Sequence, residues 1–128
     1  GMQLLFDSST EYGETRGLGL IPGRVERLPE SNLKVPHMGW NQLESQQDSL
    51  FNLVNHTYVY YVHSYYAVTA SDYILASSDY GVKIPGIVQK NNVFGTQFHP
   101  EKSGDAGFQV LKLFKEVVVA CSSSQQSI

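Results

Sequence analysis

The sequence predicts an α/β fold that consists mostly of β-strands with two flanking helices. Between residues 20 and 98, short runs rich in valine, isoleucine and tyrosine alternate with glycine, proline and asparagine, which is typical of strands and turns. Residues 2–10 and 105–119 instead space their apolar side chains as one face of a helix does. With 128 residues, 41% of them apolar, the chain is long enough to bury the core of one domain.

The first predicted helix covers residues 2–10. Three apolar residues of this segment form one helical face: Met2, Leu5 and Phe6. The polar run at residues 7–10 ends the pattern. Residues 11–19 are polar and rich in glycine, so we expect a loop there.

The middle of the chain is predicted to be mainly sheet. Residues 20–28 are predicted to form a turn followed by a strand, and further strands are predicted at residues 34–43, 58–68, 74–78, 82–89 and 93–98. A short helical turn is expected at residues 49–54, and reverse turns at 79–81 and 90–92. Residues 58–68 are the clearest strand because they are dense in tyrosine and valine, and we expect them to lie at the centre of the sheet.

The last element is predicted to be a helix from about Asp105 to Val119. Its apolar stripe consists of Val110, Leu113, Phe114, Val117 and Val118. Ser103 is placed to cap this helix. We therefore expect one domain over residues 1–120, followed by a disordered polar tail at residues 121–128.

Composition excludes two classes of partner. The formal charge is −3, and the nine basic residues are scattered, so the chain has no basic surface for nucleic acid. No apolar run approaches the roughly eighteen residues that a membrane helix requires. We therefore expect a soluble, cytoplasmic protein that binds neither nucleic acid nor membrane.

The cysteine and histidine content predicts no cofactor and no metal site. Cys121 is the one cysteine of the chain, so no intrachain disulfide can form and a reducing compartment is expected. Cys121 receives no functional role. His37, His56 and His63 do not have metal-ligand spacing, and no carboxylate pair completes a site. His63 is instead expected to pack or hydrogen-bond beside a substrate-binding loop.

His99 and Glu101 are the candidate catalytic residues. They flank Pro100, which has no backbone donor and therefore ends the strand predicted for residues 93–98. An imidazole can accept a proton near neutral pH, and a carboxylate held close to it can orient the ring and stabilise the imidazolium. A group for this pair to activate is not evident in the neighbouring sequence.

Four segments carry a family resemblance. They are Gly1-Met2-Gln3-Leu4-Leu5-Phe6, Pro36-His37-Met38-Gly39-Trp40-Asn41, Val62-His63-Ser64-Tyr65-Tyr66 and Phe98-His99-Pro100-Glu101. In this order they resemble the glutaminase subunits of imidazole glycerol phosphate synthases, which are class I glutamine amidotransferases. The likeness extends from Gly1 to about Val119. It implies a flavodoxin-like, doubly wound α/β sheet, of which this chain would hold the C-terminal part with its largely antiparallel strands.

The resemblance implies glutamine hydrolysis by a Cys-His-Glu triad. His99 would be the base and Glu101 its orienting acid, while Gln3, Glu11, Ser64 and Tyr65 would hold the substrate glutamine. In the family the nucleophilic cysteine lies two residues before the glycine that matches Gly1. The chain as given is therefore expected to be inactive.

The resemblance also implies a partner. This would be a cyclase subunit with a (β/α)8 barrel, which receives the ammonia, and the contact would include Trp40, Tyr60 and Lys102. In the family, earlier strands would pair with those present here. A sheet edge that lacks these partners is unpaired, so we also expect the chain to associate with itself as a homo-oligomer.

Two alternative functions stay open. The chain could be a non-catalytic binding or regulatory remnant that keeps the partner surface. It could also belong to another class I amidotransferase, serving nucleotide or anthranilate synthesis. That second alternative fits Phe98–Glu101 but does not fit residues 36–41.

Overall fold

The computed structural model describes residues 2–10, 15–31, 33–45 and 49–125, with the side chains of Leu4, Thr15 and residues 117–125 excepted. Within these ranges the backbone forms ten strands and one α-helix. The strands are β1 (Ser8–Ser9), β2 (Thr15–Arg16), β3 (Arg24–Arg27), β4 (His37–Gln42), β5 (Glu44–Ser45), β6 (Tyr58–His63), β7 (Tyr65–Val68), β8 (Ile74–Asp79), β9 (Lys83–Lys90) and β10 (Val93–Thr96), and the helix is α1 (Gly104–Gln125). Short 3₁₀ turns occupy Met2–Leu5, Leu50–Val54, Ser71–Tyr73 and Pro100–Lys102.

The strands form three small sheets. One has the order β2-β1-β3-β7, another the order β10-β9-β8-β5, and the third is the two-stranded β4–β6 ribbon. The β1–β3 pair is parallel, and the other described pairs are antiparallel. The described strands are therefore largely antiparallel, as the family resemblance implies.

Strand β9 lies between β8 and β10 and is buried from Ile84 to Val88. A run buried on both faces explains why its sequence is continuously apolar. Pro85 cannot donate a hydrogen bond to the neighbouring strand, and the pairing of β8 with β9 shifts register next to it, between Ala76 and Ser77. The proline is thus accommodated where the ladder is already irregular.

The strand predicted for residues 58–68 is two strands, and the prediction that it is central is wrong. The chain changes sheet at Ser64, so that β6 pairs with β4 whereas β7 pairs with β3 at the edge of another sheet. The carbonyl of Ser64 accepts the N–H of Leu28 at 2.8 Å, which fixes the break. Continuous strand propensity could not reveal this change of partner.

The prediction of an α-helix over residues 2–10 is also wrong. The 3₁₀ turn Met2–Leu5 is followed by β1, because backbone groups from the β3 region provide the hydrogen-bond partners. The Asp7 N–H donates to the Gly23 carbonyl at 2.9 Å, and the Gly23 N–H donates to the Asp7 carboxylate at 3.0 Å. Of the two predicted flanking helices, the described residues contain α1.

Two groups of buried side chains form the core. The larger one joins α1 to the β8–β9 hairpin and the β4–β6 ribbon, and includes Val110, Leu113, Phe51, Ile84 and Tyr61. The smaller one contains Met2, Phe6, Ile21, Val25, Ala67 and Val88. Within the two predicted helical segments, Met2, Phe6, Val110 and Leu113 are therefore buried, although the first segment is not an α-helix.

Helix α1 packs closely on the turn that follows β10. A Cβ atom at Gly107 would lie 1.9 Å from the carbonyl oxygen of Pro100, so glycine is required for this approach. The helix continues to Gln125, past the end predicted near Val119. The expected disordered tail at residues 121–128 stays a prediction. Among the described residues, no helix has the length and apolar character needed to cross a membrane.

Candidate active site

His99 and Glu101 form a hydrogen-bonded pair. His99 Nδ1 lies 2.9 Å from Glu101 Oε1, and the two side chains are 40% and 61% exposed. A carboxylate can only accept, so Nδ1 donates and Nε2 is left as the acceptor, the form that a general base needs. The pKa of the Glu101 carboxyl lies below its ordinary value, chiefly because of its own backbone N–H and further because of His99 and Lys102.

Backbone bonds to β6 hold the segment that carries this pair. The His99 N–H donates to the Tyr60 carbonyl at 2.9 Å, and the Tyr60 N–H donates to the Ser103 hydroxyl at 2.9 Å. That hydroxyl in turn donates to the His99 carbonyl at 2.6 Å. Ser103 was predicted to cap α1. Its buried hydroxyl instead ties the segment that carries His99 and Glu101 to the β4–β6 ribbon.

The pair borders a cavity of about 630 Å³. Its lining consists of Met2, Gln3, Arg27 and residues 62–65 and 96–101. The volume is in the range of small-molecule sites, and the lining combines apolar surface with several polar groups that can fix a ligand's orientation.

The cavity brings together most of the residues predicted to hold substrate. Gln3, Ser64 and Tyr65 all line it beside His99. Gln3 Nε2 donates to the Tyr65 carbonyl at 3.0 Å, which joins the first segment of the chain to β7. Glu11, the fourth predicted substrate residue, lies outside the described residues.

His63 lies beside the predicted substrate loop, as the sequence analysis expects, and His37 is a neighbour that it missed. His63 Nδ1 is 2.9 Å from the Tyr65 carbonyl, and His63 Nε2 is 2.9 Å from His37 Nδ1. Burial lowers the pKa of His37 to about 4, with the proximity of His63 adding to the effect. Burial also lowers the pKa of His63, although its bond to the Tyr65 carbonyl acts in the opposite direction.

Apolar side chains cover the solvent side of the β4–β6 ribbon. This outer face consists of Met38, Trp40, Tyr58, Tyr60 and Val62, whose positions alternate with less exposed ones on both strands. Trp40 is 57% exposed and meets the Tyr60 ring edge at a centroid distance of 5.9 Å. Trp40 is therefore a surface residue rather than a core residue. Lys102 is also exposed, in the turn that contacts β6.

Other candidate groups do not assemble into a site within the described part of the chain. There, no three histidine, cysteine, aspartate or glutamate side chains gather closely enough to hold a metal ion. The side chain of Cys121 lies outside the described set. Arg27 and Gln97 line the cavity and were missed by the sequence analysis, because neither stands in a recognisable motif.

Comparison with known proteins identifies relatives of this chain. The family described as "Glutamine amidotransferase class-I" matches residues 1–117. Proteins named imidazole glycerol phosphate synthase subunit HisH from Listeria monocytogenes (serovar 1/2a) and Listeria innocua are each 56% identical over 98% of this chain. One from Bacillus cereus (strain B4264) is 54% identical over the whole chain. The chain spans 62% of the length of each of these relatives.

Proposed function

Because the chain belongs to the class-I glutamine amidotransferase family, we propose that it supplies the general base and the glutamine pocket of a glutaminase. This glutaminase produces ammonia for imidazole glycerol phosphate synthase in histidine biosynthesis. The observation that carries the proposal is the His99–Glu101 pair at the border of the cavity that Gln3, Ser64 and Tyr65 also line. The names of the relatives favour this reaction over those of other class I amidotransferases.

The proposed reaction is acyl transfer through a thioester. A cysteine thiolate attacks the side-chain amide carbon of glutamine, the carbon–nitrogen bond breaks, and ammonia leaves. His99 takes the thiol proton on Nε2 and returns it to the leaving nitrogen, while Glu101 holds the ring and stabilises the imidazolium. Water then hydrolyses the thioester to glutamate. The described side chains contain no thiol, and by resemblance the nucleophile is the family's cysteine two residues before the glycine that matches Gly1.

The cavity lining suits a small zwitterion. Glutamine carries a carboxylate, an ammonium group and an amide, so a site for it requires a few fixed donors and acceptors. Gln3 and Ser64 provide polar side chains, and Arg27 provides a positive charge for a carboxylate. Glu11 belongs to the same proposed set by resemblance.

The outer face of the β4–β6 ribbon is the proposed contact with the cyclase. It exposes large apolar side chains next to the cavity, and Val62 belongs to both the face and the cavity lining. Aromatic side chains are enriched in the centres of protein interfaces, which favours Trp40 and Tyr60 as anchors. We propose that the partner is the (β/α)8-barrel cyclase and that Lys102 lies at the rim of the contact.

Ammonia release from glutamine tests this function. The residues of the Listeria monocytogenes relative that precede the matched region would be joined to this chain, and the chimera assayed with the cyclase. We expect ammonia release that His99→Ala reduces by several orders of magnitude, as loss of a triad base does. His56→Ala is the control, because His56 is exposed and does not line the cavity.

Two results would contradict the proposal. Ammonia release by the His99→Ala chimera at the rate of the parent chimera would remove His99 from the role of base. A chimera that binds the cyclase but releases no ammonia would favour the alternative of a non-catalytic binding subunit.

A further inference from the structure

Three side chains of the β4–β6 ribbon form a continuous chain of hydrogen bonds that ends at the cavity. Asn41 Nδ2 is 3.2 Å from His37 Nε2, and His37 Nδ1 is 2.9 Å from His63 Nε2. His63 Nδ1 is 2.9 Å from the carbonyl oxygen of Tyr65, which lines the cavity. We call this set the histidine relay.

The two ends of the relay fix the position of every proton in it. A carbonyl oxygen only accepts, so His63 Nδ1 carries a proton and a neutral His63 accepts on Nε2. His37 Nδ1 must then donate, which leaves His37 Nε2 to accept from the Asn41 amide. Both imidazoles are thus neutral, and each is held in one tautomer by its neighbours. The Asn41 amide is itself anchored by a bond to the Asp79 carbonyl at 2.9 Å.

Packing prevents the rings from leaving this arrangement. His37 and His63 are 3% and 7% exposed. The His37 ring is stacked between the rings of Tyr61 and Tyr80, with centroid distances of 4.6 and 3.9 Å. Rotation of either imidazole would leave buried nitrogen atoms unpaired, at a cost comparable to that of a lost hydrogen bond.

The carbonyl at the end of the relay also holds a side chain of the cavity. The Tyr65 oxygen accepts from His63 Nδ1 and from Gln3 Nε2, at 2.9 and 3.0 Å. Its two lone pairs are therefore both in use, and the directions of the two donors are coupled. A Tyr65 carbonyl that turned away from His63 would also release the Gln3 amide.

We propose that His63 is a positioning residue of the cavity: it orients the Tyr65 carbonyl, and through it the Gln3 side chain, toward a bound amino-acid amide, and His37 holds His63 in the tautomer that donates to that carbonyl. The ligand class rests on the proposed glutaminase function, whereas the positioning does not. Neither imidazole is hydrogen-bonded to the His99–Glu101 pair, because their ring nitrogens bond to each other, to Asn41 and to the Tyr65 carbonyl. Their effect is to present Gln3 in one orientation before the ligand arrives, which reduces the entropy that binding costs.

Two substitutions of His63 separate positioning from packing. In His63→Asn, the amide nitrogen occupies the place of Nδ1 and can still donate to the Tyr65 carbonyl, but the link to His37 is lost. In His63→Gln, the amide oxygen occupies the place of Nε2 and can still accept from His37, but the link to Tyr65 is lost. Both variants remove the ring, so a packing role would affect both alike. His56→Asn is the control, since it makes the same change at an exposed histidine.

Nitrogen NMR of the 128-residue chain tests the relay directly. We expect His63 to be protonated on Nδ1 and His37 on Nδ1, both neutral at pH 7. The Gln3 side-chain amide signals should stay close to their wild-type positions in His63→Asn and His56→Asn, and should shift and exchange faster with water in His63→Gln. His63 protonated on Nε2, or equal Gln3 shifts in both His63 variants, would overturn the proposal.

Titration with L-glutamine tests the consequence for binding. We expect His63→Gln to weaken binding about fivefold to tenfold, as the loss of one hydrogen bond does, and His63→Asn to weaken it less than twofold. Equal loss of affinity in the two variants would overturn the positioning role. If the wild-type chain does not bind L-glutamine at all, the proposed pocket function fails, and the Gln3 amide signals alone decide the positioning role.

Discussion

At the scale of single residues, the neutral state of His37 makes stability depend on pH. Burial lowers its pKa from 6.5 to about 4 in the folded chain, whereas the unfolded chain keeps the ordinary value. Between these two values the unfolded state binds more protons, so the free energy of unfolding falls as pH falls. Above pH 6.5 the contribution of His37 does not change.

We therefore expect acid to destabilise the chain between pH 6.5 and 4. The contribution of His37 is up to about 3 kcal/mol, since each unit of pKa shift corresponds to about 1.4 kcal/mol. Urea denaturation at a series of pH values measures it. The His37→Phe variant provides the comparison, because it removes the titrating group and retains an aromatic ring. If both proteins lose the same stability over this pH range, His37 is not responsible.

The contact between His99 and Glu101 could be predicted from the sequence, whereas the histidine relay could not. His99 and Glu101 flank one proline, so their proximity depends on local backbone geometry alone. His37 and His63 are 26 residues apart, and they meet because β4 and β6 pair in a register that sets them opposite each other. Strand propensity predicts both strands but does not determine this register.

At the scale of elements, the contact between α1 and the Pro100–Lys102 turn fixes the position of the segment that carries His99 and Glu101. Gly107 permits this contact because it has no Cβ atom to meet the Pro100 carbonyl. The turn contains Glu101 and follows His99 directly. The same contact therefore determines the position of α1 and the position of the His99–Glu101 pair.

Gly107→Ala is expected to destabilise the chain by more than about 3 kcal/mol. In an unconstrained helix the same change would stabilise by about 1 kcal/mol, but here the new methyl group would lie 1.9 Å from backbone and the helix must move. Thermal or urea denaturation measures the effect, with Gln109→Ala at an exposed position of α1 as the control. A stability equal to that of the wild type would show that the helix can shift without cost.

Strands and helices were predicted well where the local sequence pattern determines the backbone conformation. They were predicted poorly where hydrogen bonds to distant parts of the chain determine it. The hairpins of β8, β9 and β10 carry their own turn signals, including Gly81 and Asn91 with positive φ. The Met2–Thr10 segment has helical spacing, yet its backbone bonds to the β3 region. The strands β1, β2 and β5 have two residues each, too few for a periodic signal.

At the scale of the whole molecule, the outer face of the β4–β6 ribbon is the surface on which we expect the cyclase. Trp40→Ala should weaken binding by more than about 1 kcal/mol, as loss of a buried aromatic anchor does. Titration calorimetry with the cyclase measures it. Leu53→Ala is the control, because Leu53 is 74% exposed in the Leu50–Val54 turn and does not belong to the outer face. Equal binding by the wild type and Trp40→Ala would place the contact elsewhere.

Self-association is the second expectation at this scale. Each of the three small sheets has open edges among the described strands, and exposed apolar residues also lie around α1, where Phe108 is 66% and Leu111 48% exposed. Unpaired edges and apolar surface of this kind favour contacts between copies. Sedimentation velocity at micromolar concentration should therefore show dimers or larger species. A single monomeric species that unfolds cooperatively would contradict this.

The α/β class is confirmed, and the resemblance explains more of the global arrangement than the residue pattern does. Periodicity predicts strands and a C-terminal helix, but the three described sheets are separate and mostly antiparallel. Membership in the amidotransferase family supplies the doubly wound, flavodoxin-like class. Neither source of prediction shows that the chain changes sheet at Ser64.

The exposed position of Trp40 makes it an intrinsic fluorescence probe of the outer face. It is the one tryptophan of the chain, so the long-wavelength fluorescence comes from a single known place. Its indole faces solvent on the outer face and does not line the cavity. Burial of the Trp40 indole by a protein partner would shift its emission maximum to shorter wavelength. A small ligand in the cavity would leave the emission maximum almost unchanged. The intrinsic fluorescence of the unlabelled chain can thus distinguish binding of a protein partner from binding of a substrate.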